Sequence, residues 1–458
     1  MNKEILNKKE CGWKNTTDEE KQKIFNFCDD YINFLNNGKT ERESAKIIVD
    51  LLKENGFVDI NTVDKLNIGD KVYLLNRYKS VYAAVIGKEN ITNGMNIIGS
   101  HIDSPRLDLK PNPLYEDAKL ALFKTHYYGG IKKYQWTAIP LAIHGVVVKP
   151  NGEKIEIIIG EDDSDPIFTI TDILPHLAQD QYEKKIGKAI EGEDLNILIG
   201  SIPSKDDSVK EHIMNLINEK YGINEIDFYS SELEIVPAFK ARSLGFDKSM
   251  VASYGQDDRV CAYTSLKALL DAKNNDKTMT IIFSDKEEIG SVGNTGMCSE
   301  IFDLFIHDLL DKTGENNASA INKTYSNSIM LSADVGAGID PNYQSVSEKN
   351  NASLIGYGVE INKYTGSRGK SGASDANAEY VAKVRSIFEK KNIKYQLSEL
   401  GKVDLGGGGT IAYILANKGI EVIDCGVPVI SMHSPYEVTS KFDIYETYKA
   451  YKAFFEEK

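Results

Sequence analysis

Short β-branched and apolar runs alternate with amphipathic stretches of helical length through most of this chain. The opening third begins with helices. Thr17-x-x-Glu20 and Thr40-x-x-Glu43 have the spacing of a capping box, in which a hydroxyl and a carboxylate satisfy each other's end of the first turn. They predict helices over residues 21–35 and 45–53, the second stopped by Gly56. Strands are predicted at 72–75, 81–86 and 95–100, the last running into His101-Ile-Asp103. After Pro105 the texture changes to short β-like runs at 141–148, 154–159 and 195–199, with a helix-like acidic stretch near 206–221. Alternation then resumes. Helices are expected at 258–272, 296–310, 375–391 and 410–418, and strands at 278–283, 328–333, 422–425 and 429–432.

Strand–helix alternation predicts an α/β sheet. The interruption predicts an inserted, mostly β domain at 105–237, so that 1–104 and 238–458 form one discontinuous α/β domain. A length of 458 residues agrees with more than one domain. The balance of 54 Lys+Arg against 68 Asp+Glu, a net charge of -14, argues against a nucleic-acid or anionic-membrane surface. The five cysteines are scattered, without C-x-x-C spacing, which disfavours a disulfide frame or zinc finger and fits a reducing cytoplasm. No apolar run reaches membrane-spanning length, and the first ten residues lack the hydrophobic core of a signal peptide.

Candidate chemistry gathers at strand ends and the turns beside them, where open α/β sheets place their sites. Five segments repeat that pattern: His101-Ile-Asp103, Gln256-Asp257-Asp258-Arg259, Glu287-Glu288, Asp334 in Ser332-Ala-Asp, and His433 before Ser-Pro. Taken singly, each has an ordinary structural explanation. Asp257 is simplest as a helix N-cap, His101 as a hydrogen-bonded core histidine, Asp334 as a turn former before Gly336, and His433 as a loop residue. Glu287-Glu288 is simplest as a solvated charged pair. Their recurrence in one pattern favours a joint reading. Two histidines among carboxylates suit zinc, manganese or cobalt better than a thiolate site would. An acid-rich set suits two ions about 3.5–4 Å apart that share a water, with one of the adjacent glutamates binding metal and the other serving as base. Asp103 is placed to accept a hydrogen bond from the non-ligating nitrogen of His101 and to fix its tautomer. Gly406–Gly409 lacks the Gly-Lys-Ser/Thr ending of a phosphate loop and reads as flexible backbone leading to a helix near Thr410.

The segments GSHIDSPR (99–106), QDDR (256–259), DKEEIG (285–290), SAD (332–334), GGGGT (406–410) and SMHSPYE (431–437) resemble, in this order, those of the M18 metallo-aminopeptidases. The resemblance implies a mixed-sheet α/β/α metallopeptidase domain with an inserted β-rich dimerisation domain. It implies that His101, Asp257 and Asp334 hold one metal ion and that Asp257, Glu288 and His433 hold the other, with Asp257 bridging. Glu287 is then the general base, acting on a water that bridges two divalent ions, most simply Zn2+, with Mn2+ or Co2+ as alternatives. His176, in Ile173-Leu-Pro-His176, matches a histidine that enters a neighbouring subunit's active site; without the family context it is a helix-start residue after a proline. Also implied are a cytoplasmic tetrahedral dodecamer built from dimers and peptide substrates with a free N-terminus. Other readings of the same residues are an N-acyl amino acid deacylase or carboxypeptidase, and a non-catalytic shell or receptor. A spare carboxylate at Glu287 argues against the last, since a structural metal does not need one.

Overall fold

The structure is a computed structural model describing residues 9–273 and 276–457. Most of the N-terminal stretch read for targeting therefore lies outside the described residues. The chain divides into two compact units: Met1–Asp103, Ala241–Met432 and Glu437–Lys458 form the first, and Ser104–Lys240 with His433–Tyr436 the second.

The first unit is built on a nine-stranded mixed sheet. Its centre is four parallel strands in the spatial order Met279–Ser284, Asn96–His101, Ile329–Ser332 and Glu421–Gly426. Their near-continuous apolar sequence follows from burial on both faces. Successive side chains point to opposite faces of a strand, and the two apolar clusters divide accordingly. Ile98, Ile281, Phe283, Leu331 and Ile423 join one cluster, while Ile97, Ile282, Met330 and Val422 join the other. The first face is covered by helices Asp18–Asn37, Glu41–Glu54, Gln256–Asp271, Ala378–Lys390 and Lys441–Phe455, and the second by Ile301–Thr313, Ala320–Asn327 and Ala412–Ala416. This is an α/β/α sandwich, as the alternation predicts. Both expected capping boxes form, at Thr17 with Glu20 and at Thr40 with Glu43. A five-stranded sheet in the same unit carries Met250–Ser253 and Glu437–Ser440, paired antiparallel.

The second unit holds a six-stranded antiparallel sheet, with a helix Val209–Tyr221 capped by Ser208. Its longest hairpin, Arg106–Asp117 with Leu120–Tyr128, is absent from the sequence reading. Prolines and charges at 108–117 mask the period-two pattern there, and the pairing itself shifts register between Leu109 and Leu114.

Several expected helices begin late. The stretch from Gly296 turns before helix Ile301–Thr313 starts, residues 410–411 precede helix Ala412–Ala416, and Asp375 precedes helix Ala378–Lys390. Asp375 pairs instead with Lys363 and, at 2.7 Å, with Lys370. The helix Lys441–Phe455 has no counterpart in the sequence reading, because it is buried around most of its circumference and so lacks a clear amphipathic stripe.

Candidate metal centre

His101 ends its strand fully inside the first unit, 2 % exposed. Its Nε2 lies 3.2 Å from Asp257 Oδ1, 3.8 Å from Glu287 Oε2 and 4.0 Å from Asp334 Oδ1. Ligand atoms of His101, Asp257 and Glu288 lie within 4.8 Å of one another, as do those of His101, Asp258 and Asp334. Three neighbouring parallel strands and the start of one helix thus deliver these side chains to one place.

Each arrives by a local device. Gly255 adopts φ +65, a left-handed conformation cheap only for glycine, and an added Cβ there would sit 1.5 Å from the Arg259 guanidinium. Asp257 and Asp258 follow with non-helical backbone, joined by a cis peptide, before the helix settles. Glu287 and Glu288 occupy a single 3-10 turn, Glu287–Ile289, entered through Lys286 at φ +65. Asp103 holds that turn: its Oδ1 accepts from the Glu287 N–H at 3.1 Å and its Oδ2 from the Glu288 N–H at 3.2 Å. The same residue meets the other side of the imidazole, where His101 Nδ1 lies 3.1 Å from the Asp103 carbonyl oxygen and 3.3 Å from its Oδ1. Asp103 therefore ties the histidine and the glutamate pair together, a wider contact set than the histidine alone.

Asp258, which the resemblance leaves out of the ligand set in favour of Asp257, is a further carboxylate of this site. It is fully buried, and its Oδ2 accepts the backbone N–H of His101 at 3.2 Å. The only signal in the sequence was its adjacency to Asp257. His433 belongs to the second unit, where its Nδ1 lies 2.9 Å from the Gly130 carbonyl oxygen. His176 sits exposed in the 3-10 turn Pro175–Leu177 of that unit.

Electrostatics follow from the crowding. Burial pushes the Asp258 carboxyl well above the ordinary range, and neighbouring Asp257 adds to this while His101 opposes it. Asp334 is raised in the same way, by burial and then by Asp258, with Glu287 and Asp257 also contributing. Burial pulls the His101 imidazole down, but Asp103, Asp257 and Glu287 outweigh it and hold it well above its usual value. Several carboxylates converging on one imidazole form a concentrated negative field of hard oxygen donors plus one nitrogen. That donor set fits a divalent cation of the zinc type.

Over residues 34–455 the sequence matches the family described as Aminopeptidase I zinc metalloprotease (M18). The chain belongs to the M18 family. It is 53% identical, over 99% of each chain, to a probable M18 family aminopeptidase 1 from Clostridium acetobutylicum. The crystal structure of an M18 aminopeptidase from Thermotoga maritima matches with a TM-score of 0.95 at 44% identity, covering 99% of this chain and 100% of that one. The structure of aminopeptidase I from Clostridium acetobutylicum gives 0.93 at 52% identity, with 99% and 100% covered. This M18 chain is thus an aminopeptidase, and the deacylase, carboxypeptidase and shell alternatives find no support among its relatives. As a zinc metalloprotease family, M18 requires a divalent metal ion.

Proposed function

We propose that the chain hydrolyses the first peptide bond of peptides with a free N-terminus, at a centre of two divalent ions. The observation that carries the reading is that His101 meets Asp257 and Glu288 in one group and Asp258 and Asp334 in another, with Glu287 Oε2 3.8 Å from the imidazole. His101, Asp257 and Asp334 would hold one ion and Asp257, Glu288 and His433 the other; His433 rests on the family resemblance. Bound zinc supplies Lewis acidity to the scissile carbonyl and acidifies water at the site. Glu287 is the general base that takes the proton of the attacking water and returns it to the departing amine. Asp103 orients His101 and the turn that carries Glu287. The buried strand ends exclude bulk solvent around these groups, which strengthens every charge interaction there.

The first unit is the catalytic domain in this reading, and the second mediates dimer contacts, with His176 completing a neighbouring subunit's site. Assembly of dimers into a tetrahedral dodecamer and a cytoplasmic location follow from the same resemblance. No helix among the described residues is long and apolar enough to cross a membrane.

The test is hydrolysis of aminoacyl-p-nitroanilides (Leu, Met, Asp, Glu, Lys, Ala), each beside its N-acetylated form, with metal-stripped enzyme before and after zinc, manganese or cobalt. Cleavage of free-amine forms alone, restored by metal, supports the reading and ranks the side-chain preference. Cleavage of the acetylated forms, or cleavage that ignores metal, refutes it.

A further inference from the structure

Beneath Asp257 lies a polar network that no metal ligand or base accounts for. Glu437 is 1% exposed, and Gln256, Arg259 and Tyr31 are fully buried. Glu437 Oε2 accepts the backbone N–H of Asp257 at 3.1 Å. Gln256 Nε2 donates to the backbone carbonyls of Glu437, at 2.8 Å, and Val251, at 3.2 Å, while the Tyr31 hydroxyl meets Gln256 Oε1 at 3.3 Å. Arg259 donates to the carbonyls of Gly255 at 2.8 Å and Tyr254 at 3.0 Å, and to that of Gly38 at the end of helix Asp18–Asn37. Its guanidinium also stands 5.0 Å from the Tyr254 ring centre. The strand carrying Glu437 pairs with Met250–Ser253 in the register Ser253 opposite Glu437, so the carboxylate is placed by a ladder and not by a loop.

Burying an arginine, a glutamate and a glutamine is costly unless every group is satisfied. Three bonds of this network fall on the backbone of residues 254–257. That is the segment which must leave regular geometry to aim Asp257, so a fixed backbone there fixes the carboxylate direction. We infer that Glu437 is a positioning residue for Asp257: its carboxylate, carried on backbone that Gln256 holds, locks the Asp257 N–H and thereby the geometry with which Asp257 meets metal. The inference rests on the proposed metal site. Outer partners of this kind typically change metal affinity 10–100-fold when lost.

Two conservative variants separate reach from charge. Glu437→Gln keeps an acceptor oxygen at the same reach without the charge. Glu437→Asp keeps the charge and draws the acceptor back by one methylene. Zinc affinity of the full chain is read by chelator competition, with metal content per chain and the melting temperature of the stripped protein measured alongside. The expected result is wild-type affinity for E437Q and a 10–100-fold loss for E437D, with stripped melting temperatures unchanged and E437D activity regained at saturating zinc. Wild-type affinity in E437D, a reversed order of the two variants, or equal losses in both overturn the inference. Should E437D fail to fold, Glu437→Leu, which removes the acceptor at similar bulk, takes its place: a 10–100-fold loss beside wild-type affinity in E437Q supports the acceptor role, and wild-type affinity in both overturns it. Absence of zinc binding by the wild-type chain sinks the metal site itself, a separate outcome.

Discussion

At the level of single residues, Glu287 carries the sharpest expectation. It approaches the imidazole of His101, yet the described ligand groupings form without it. Glu287→Gln is expected to cut turnover by at least the 10²–10⁴-fold typical of a lost general base, while metal content per chain stays at the wild-type level. Parallel p-nitroanilide kinetics and elemental analysis read both; retained turnover removes Glu287 from the role of base. The adjacent glutamates, the His-x-Asp pair and Asp257 were visible as chemistry in the sequence because they stand at strand ends and the turns beside them. Asp258 and Glu437 were not singled out. Their contacts are with the backbone N–H groups of His101 and Asp257, distant in sequence, and no local pattern encodes a partner that far along the chain.

Among the elements, two expectations follow from how ends and loops are tied down. The Thr40 hydroxyl accepts the Glu43 N–H at the start of helix Glu41–Glu54, and Glu43 returns the bond to the Thr40 N–H. Thr40→Ala is expected to cost about 1 kcal/mol in urea unfolding, with activity per folded molecule unchanged. The glycine-rich loop is fastened differently: the Thr410 hydroxyl donates to Asp424 Oδ1 at 2.7 Å, inside strand Glu421–Gly426. Burial pushes the Asp424 carboxyl up to about 6 despite the bonds from Thr410 and Ser332. A carboxyl with a raised folded pKa binds its proton more tightly in the folded chain, so stability is full below the unfolded value near ~4 and falls as pH rises toward the folded one. The loss is on the order of 3 kcal/mol at most. Asp424→Asn accordingly should melt above wild type at pH 8 and lose that advantage near pH 4. An equal shift at both pH values contradicts the titration. Strand identity was legible in the four central parallel strands, each apolar over a short run. The long hairpin Arg106–Tyr128 and the helix Lys441–Phe455 were not, the first because proline and charge break its period and the second because it is buried nearly all round.

For the whole molecule, the sequence order of the motifs carried the sandwich and its insertion, but not the return of His433–Tyr436 to the second unit, which depends on a four-residue excursion late in the chain. The exposed His176 bears on how chains cooperate in the proposed assembly. If His176 serves a neighbour's site, then Glu287→Gln and His176→Ala damage different copies of each centre. An E287Q chain still lends a good histidine, and an H176A chain still holds a good base. In an isologous pair both contributions cross the same two-fold axis. Co-expressing the two inactive variants with different affinity tags and isolating mixed assemblies is then expected to recover activity, at about half the wild-type level per mixed pair, since one of the two sites is whole. Assemblies of either variant alone stay inactive. If mixed assemblies form and remain inactive while H176A alone is impaired, the histidine acts within its own chain. If H176A alone is fully active, it has no part in the reaction.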